Sequence, residues 1–222
     1  MIKINQIVDL TQPFYHNCPG PPGFSLPQVR ITHCFPRDGF NMEELKFVTH
    51  TGTHIDAPYH FCEKGKKVDE IDLLSLQGRG IVIDLYNKKP KEEITIHDLS
   101  RYDTVLRKND IVLLATGWGY KRGFTTEYIY HSPRLDVGAA KYLVKKKVRG
   151  VGIDHFSIAN TNLERATPPH RTLLEAEIWI LEDLFLPKEL LQRESWYIVA
   201  LPMLLKGGSG APTRVIAIHF QD

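Results

Sequence analysis

Cysteine is scarce in these 222 residues: Cys18, Cys34 and Cys62 are three, odd in number and far apart. They make neither a disulfide framework nor a zinc–thiolate cluster, and a reducing compartment suits them, so the cytoplasm is the expected location. No apolar run approaches the roughly 20 residues of a membrane span, and Met1 to Leu10 holds Lys3 but no apolar stretch of signal-peptide length. Charge of one sign is lacking as well. Lys and Arg number 28 against 26 Asp and Glu, a formal net charge of +2, which argues against a nucleic-acid or membrane-surface partner. The densest basic run, Lys145-Lys146-Lys147 with Arg149, falls at the end of an expected helix, where cations suit the helix dipole and solvent. Internal repeats, low-complexity tracts and a glycine-rich phosphate loop after a strand are all missing.

What is present is an ordinary globular composition, 42% hydrophobic and 24% charged. The length allows one sizeable core, and a single domain over residues 1–222 is expected. Histidine is the distinctive residue. Between positions 50 and 60 the chain reads His50-Thr51-Gly52-Thr53-His54-Ile55-Asp56-Ala57-Pro58-Tyr59-His60. Imidazole nitrogen and carboxylate oxygen are ligands of borderline to hard divalent cations such as zinc, manganese or iron. Gly52, the β-branched Thr51 and Thr53, and Pro58 argue against a helix, so an irregular loop or strand edge is expected. His50, His54, Asp56 and His60 share even parity, and an extended chain bent at Gly52 would aim them one way.

The stretch matches every fixed position of the H-x-G-T-H-x-D-x-P-x-H signature, and the chain resembles the metal-dependent cyclase family, whose members include bacterial kynurenine formamidases and isatin hydrolases. The likeness continues through Thr116-Gly117-Trp118, Val151-Gly152-Ile153-Asp154, the His170 to Glu182 segment and Gly210-Ala211-Pro212-Thr213-Arg214. It implies a swivelling β/β/α-type fold. It also implies a second metal set, His170 with Glu182, and a homodimer or homotetramer. In kynurenine formamidases a tryptophan before a Pro-Gly pair packs on the aromatic substrate. Here Cys18 precedes Pro19-Gly20, so Cys18 and Phe14 are the expected substrate contacts, with Tyr15 or Phe24 as other sources of an aromatic wall.

Strands are expected over Ile4–Leu10, Val29–Cys34, Glu43–Val48, Arg79–Leu85, Asp110–Ala115, Gly150–Ile153, Ile178–Leu181, Trp196–Met203 and Thr213–Phe220. Helices are expected over Ile94–Arg101, with Thr95 and Asp98 as its cap, and over Val137–Lys147 behind Asp136. His170 is expected in the first turn of a short helix that Pro168 and Pro169 open. The sum is an α/β domain with a mixed, partly barrel-like sheet and few helices. The aromatic segment from Tyr120 to Arg134 reads as a lid or a contact between subunits. Arg214 reads as a surface or core-pairing cation, or as a group that orients a carboxylate.

In chemical terms, Asp56 has two oxygens and could bridge two cations, one held with His50 and His54, the other with His170 and Glu182. Three protein ligands per cation leave a position open, as in catalytic sites. His60 is the expected proton shuttle, and Thr51 or Thr53 a donor to a ligand or to the oxyanion. One or two divalent cations per chain are expected, zinc first and manganese second. The resulting expectation is a hydrolase that uses metal-activated water on an aryl formamide such as N-formylkynurenine. Opening of a cyclic amide, imide or lactone, as by isatin hydrolases, is the alternative. A non-catalytic metal or small-ligand binding protein is the reading of another class.

Overall fold

A computed structural model describes residues 3–159 and 161–221; Met1 and Ile2 of the N-terminal stretch, and with them the ends of the single-domain expectation, lie outside the described residues. In chain order the elements are β1 (Ile4–Asp9), β2 (Gln28–His33), α1 (Phe35–Asp38), β3 (Met42–Lys46), β4 (His54–Asp56), β5 (Gln77–Asp84), β6 (Glu93–Ile94), α2 (Ile96–Ser100), β7 (Ile111–Ala115), α3 (Thr126–Tyr130), β8 (Arg134–Leu135), α4 (Val137–Lys146), β9 (Gly150–Ile153), α5 (Leu163–Leu174), β10 (Trp179–Glu182), β11 (Trp196–Pro202) and β12 (Gly210–Phe220).

Seven strands close on themselves. β12, β11, β5, β7, β9, β10 and β4 follow one another, and β4 pairs back to β12, while β1 is added to β12 from outside the ring. The middle run β5, β7, β9 and β10 is parallel, and the remaining pairs are antiparallel. The mixed, barrel-like sheet with few helices is therefore the fold observed, with five α-helices among the described residues.

Strand parity divides the apolar side chains into two cores. Ile111 and Leu113 of β7 join Ile55, Val82, Leu181, Ile198 and Val215 inside the ring. Val112 and Leu114 face the other way and join Ile81, Ile83, Val151, Ile153 and Ile180 beneath the helices, where Ala140, Leu143 and Leu173 meet them. A strand covered on both faces needs no polar alternation, which accounts for the unbroken apolar run of β7. α4 lays Ala139, Ala140, Tyr142 and Leu143 on this layer. It begins where Asp136 Oδ1 accepts the Ala139 N–H at 2.5 Å.

Three expectations need correction. His170 is not in a first turn: α5 starts behind Asn162, whose side chain accepts the Arg165 N–H at 3.2 Å, and Pro168 and Pro169 lie inside the helix. The N–H groups these prolines lack would have met the carbonyls of Glu164 and Arg165, both exposed residues, so the carbonyls left without a helix donor can turn to water. Ile94 belongs to β6, paired with Leu135, and α2 begins only after Thr95, whose N–H donates to Asp98 at 2.7 Å. Finally, His54–Asp56 is neither loop nor strand edge, because β4 is paired on both sides, with β10 and with β12.

The Asp136 cap is a direct test of why α4 begins where it does. Asp136→Ala is expected to cost about 0.5–2 kcal/mol of unfolding free energy, read as a lower denaturation midpoint at unchanged slope; an unchanged midpoint would remove the cap from the account.

Candidate metal centre

The centre is assembled from cross-strand neighbours. Glu182 lies opposite His54, and Ile180 opposite Asp56, in the antiparallel pair of β10 and β4. Ile55 and Leu181 point into the ring, so His54, Asp56 and Glu182 emerge on the outer face, under α5, which supplies His170. Gly52 turns the chain into β4 at a φ of +68° and brings His50 back over it. A 3-10 turn, Pro58–His60, places His60. Gly210 is opposite Asp56 on the other neighbouring strand; a Cβ there would stand 2.4 Å from His50 Cε1, so only glycine leaves the imidazole its place.

All six sequence-derived ligand and proton-transfer residues come together. His50 Nδ1 lies 2.7 Å from Asp56 Oδ1, and His54 Nε2 lies 3.3 Å from the same oxygen and 3.6 Å from Glu182 Oε2. His170 Nε2 lies 3.1 Å from Glu182 Oε1 and 3.8 Å from Asp56 Oδ2. The His60 ring stacks on that of His50 with centroids 3.8 Å apart. Among the described residues two triplets offer ligand atoms within 4.8 Å of one another: His50, Asp56 and His60, and His54, Asp56 and Glu182. His60 thus stands at ligand distance as well as at proton-transfer distance.

The donor set fits a divalent cation. His54 Nδ1 donates to the Gly52 carbonyl at 2.8 Å and His170 Nδ1 to the Ala166 carbonyl at 2.8 Å. A carbonyl only accepts, so each ring, in its neutral form, would turn the Nε2 lone pair toward the carboxylates, the arrangement of metal-ligating histidines. His50 Nε2 is taken by Ser209 Oγ at 3.0 Å, leaving Nδ1 to the centre. His54 Nε2 and Asp56 Oδ2 are buried without a hydrogen-bond partner among the described residues, which is costly unless a cation sits against them. Burial opposes charge on His54, yet Asp56 and Glu182 outweigh it and lift its pKa to about 9. Burial likewise opposes the Asp56 carboxylate, but His60 and His50 hold it well below the usual range. His60 is pushed down to about 4 by burial and by the imidazoles of His50, His170 and His54, against the pull of Asp56.

A cavity of about 480 Å³ opens over His50, His60, His170 and Glu182, walled by Phe24, Phe61 and Phe156. Phe61 stacks on His170 at 4.8 Å. The expected substrate contacts are elsewhere. Cys18 is fully buried and does not line this cavity, its N–H closing a turn onto the Tyr15 carbonyl at 3.0 Å. Phe14 packs edge-on against Phe47 at 5.4 Å and lines a separate apolar cavity of about 400 Å³. The cause is a long-range bond: Gln12 N–H donates to Thr53 Oγ1 at 2.8 Å, which draws Phe14 behind the motif.

Thr53 serves neither ligand nor oxyanion; its hydroxyl donates to the Asp183 carbonyl at 2.6 Å. Arg214 is a surface cation paired with Asp9 at 2.6 Å. The aromatic segment is not a lid, since none of its residues lines the cavity; Arg122 and Tyr128 reach instead to Asp183, at 2.8 and 2.9 Å. Ser209, Phe61 and Phe156 were not singled out in the sequence. Phe61 carried one signal, adjacency to the last histidine of the motif, whereas Ser209 sits in a glycine-rich turn with no mark of its own.

Residues 8–160 match the model of a family described as "Putative cyclase". The chain is 34% identical over 212 residues to the kynurenine formamidase of Geobacillus thermodenitrificans (strain NG80-2), covering 95% of this chain and 96% of that protein. Among solved structures it is similar to isatin hydrolase A from Labrenzia aggregata bound to benzyl benzoate, with a TM-score of 0.84, 25% identity and coverage of 96% and 93% of the two chains. It is also similar to a protein described as a potential metal-dependent hydrolase with cyclase activity, with a TM-score of 0.79, 30% identity and coverage of 98% and 99%. On the matched family model, the full-length likeness to these proteins and the motif from His50 to His60, the chain belongs to the cyclase family.

Proposed function

We propose that the centre under α5 is the active site of a metal-dependent hydrolase that cleaves a carbon–nitrogen bond other than a peptide bond, with an aryl formamide such as N-formylkynurenine as substrate. The observation that carries this reading is the pair of buried ligand atoms that make no hydrogen bond among the described residues, His54 Nε2 and Asp56 Oδ2, beneath a cavity with aromatic walls. The kynurenine formamidase and isatin hydrolase relatives support the same class of reaction.

His50, His54 and Asp56 would hold one divalent cation, and Asp56, His170 and Glu182 a second; zinc suits this nitrogen and oxygen set first and manganese next. When bound, such a cation lowers the pKa of water from about 15.7 toward 7 and polarises a carbonyl oxygen. The chain's own residues supply the rest. Phe24, Phe61 and Phe156 receive the aryl part and keep bulk water away. His60, neutral at pH 7, takes a proton from the attacking water and returns it to the nitrogen as the carbon–nitrogen bond breaks, so that formate and an aryl amine leave.

A second reading, the opening of an isatin-like cyclic amide, is supported by the isatin hydrolase neighbour and by Cys18, buried away from the cavity where a formamidase tryptophan would stack. We also propose that the chain works in the cytoplasm as a homodimer or homotetramer. The two-stranded sheet of β2 and β3, which leaves Ile31, Met42 and Leu45 exposed, supports self-association. Among the described residues no helix is long and apolar enough to cross a membrane.

Three outcomes are expected. Asp56→Asn should abolish both metal retention, counted by elemental mass spectrometry, and amide turnover; normal metal content with full activity would rule out the assignment. His60→Gln should keep the metal and lower turnover by about 10²–10⁴, whereas joint loss of metal and turnover would make His60 a ligand. Stripping with a chelator should lower the melting temperature, and zinc at about 100 times its Kd should restore about 2.7 kcal/mol, measured by calorimetry. A chain that binds metal yet hydrolyses neither N-formylkynurenine nor isatin would move the assignment to a ligand-binding protein or to other cyclic amides.

A further inference from the structure

Asp183, the residue after Glu182, is fully buried and takes a φ of +54°, a left-handed conformation that glycine, asparagine and aspartate adopt more readily than other residues. Every polar group of Asp183 is engaged. Its N–H donates to the His155 carbonyl at 2.7 Å, and its carbonyl accepts from Thr53 Oγ1 at 2.6 Å. Its carboxylate accepts from Tyr128 Oη at 2.9 Å and from Arg122 Nε at 2.9 Å, with Arg122 Nη2 at 2.8 Å. Three segments distant in sequence thus converge on one residue, two of them on its backbone and the segment of Arg122 and Tyr128 on its carboxylate, and its side chain does not line the cavity.

The register explains what this convergence can do. Glu182 is paired with His54, and the next step along the two strands is Asp183 beside Thr53. There the link is made by the Thr53 hydroxyl. The contact lies one residue beyond the two facing ligands and fixes both strand ends, one leading into His54 and the other leaving Glu182. Arg122 carries the clamp further, since its Nη1 donates to the Pro13 carbonyl at 3.0 Å, at the start of the loop whose Pro22 and Phe24 wall the cavity. Glu182 itself is held at the other end, where Oε1 accepts the Ile158 N–H at 2.6 Å.

We propose that Asp183 is a positioning residue for Glu182: clamped by Thr53, Arg122 and Tyr128, it sets the spacing at which Glu182 and His54 meet a cation. This rests on the metal-binding reading above. The aromatic segment that supplies Arg122 and Tyr128 then has a role at the centre without touching substrate.

The test is zinc affinity, measured by chelator competition on the full chain for wild type, Asp183→Asn, Tyr128→Phe and Glu182→Gln, at a temperature where circular dichroism finds each folded. Asp183→Asn is expected to weaken zinc binding about 10–100-fold. Tyr128→Phe, which removes one donor and keeps the Arg122 pair, is expected to weaken it in the same direction by less. It also serves if Asp183→Asn does not fold. Weakened binding in Glu182→Gln, with unchanged affinity in the clamp variants that fold and a lowered melting temperature alone, would make the clamp purely structural and overturn the proposal. Unchanged affinity in Glu182→Gln as well would instead sink the metal reading on which it rests.

Discussion

Two carboxylates, Asp56 and Glu182, are buried side by side, 0% and 4% exposed, and the arrangement of the whole centre answers to the charge they bring. Among the described residues their ion-pair partners are all histidines, and Arg122 is committed to Asp183. An anionic pair taken out of water without a permanent cation is unfavourable by several kcal/mol. Protons on His54 and His170 can neutralise it, and so can a divalent ion, for which those protons would be exchanged. The orientation of the His50, His54 and His170 imidazoles, each with its second nitrogen fixed by a carbonyl or hydroxyl, is arranged for the exchange.

Ligand geometry of this kind needs rigid supports, and the fold supplies three. β4 is bonded along both edges, β10 continues a parallel run with a covered outer face, and α5 is packed on that same face. Ala166, one helical turn before His170, provides the carbonyl that sets its tautomer. The cavity wall, by contrast, comes from connecting segments that carry Phe24, Phe61 and Phe156. Loops on a rigid scaffold are where a fold can change what it binds without disturbing its supports.

The motif was legible because the chemistry demands those residue types within eleven positions, and the parity argument held for His54 and Asp56 because that part is a strand. His50 and His60 reach the centre by a glycine turn and a 3-10 turn, which parity alone does not describe. That His170 and Glu182 lie beside the motif was legible only through resemblance, since nothing local marks either residue. Phe14 and Cys18 were misplaced because their loop is tied down by Gln12 and Thr53, 41 residues apart, a contact no local pattern reports. Pro168 and Pro169 misled in another way: the rule that prolines open helices is a statement about lost N–H donors, and exposed residues tolerate that loss.

β4 is the shortest strand of the ring and also the one that closes it, joining β10 on one side and β12 on the other. A hoop is opened most readily at its narrowest joint, and here the joint carries His54 and Asp56. On the proposed reading, an ion gripping Asp56 from β4, Glu182 from β10 and His170 from α5 works as a rivet through overlapping plates. Ligand loss would then reach well past chemistry, since without the ion the seam is held by the short pairings of β4 alone.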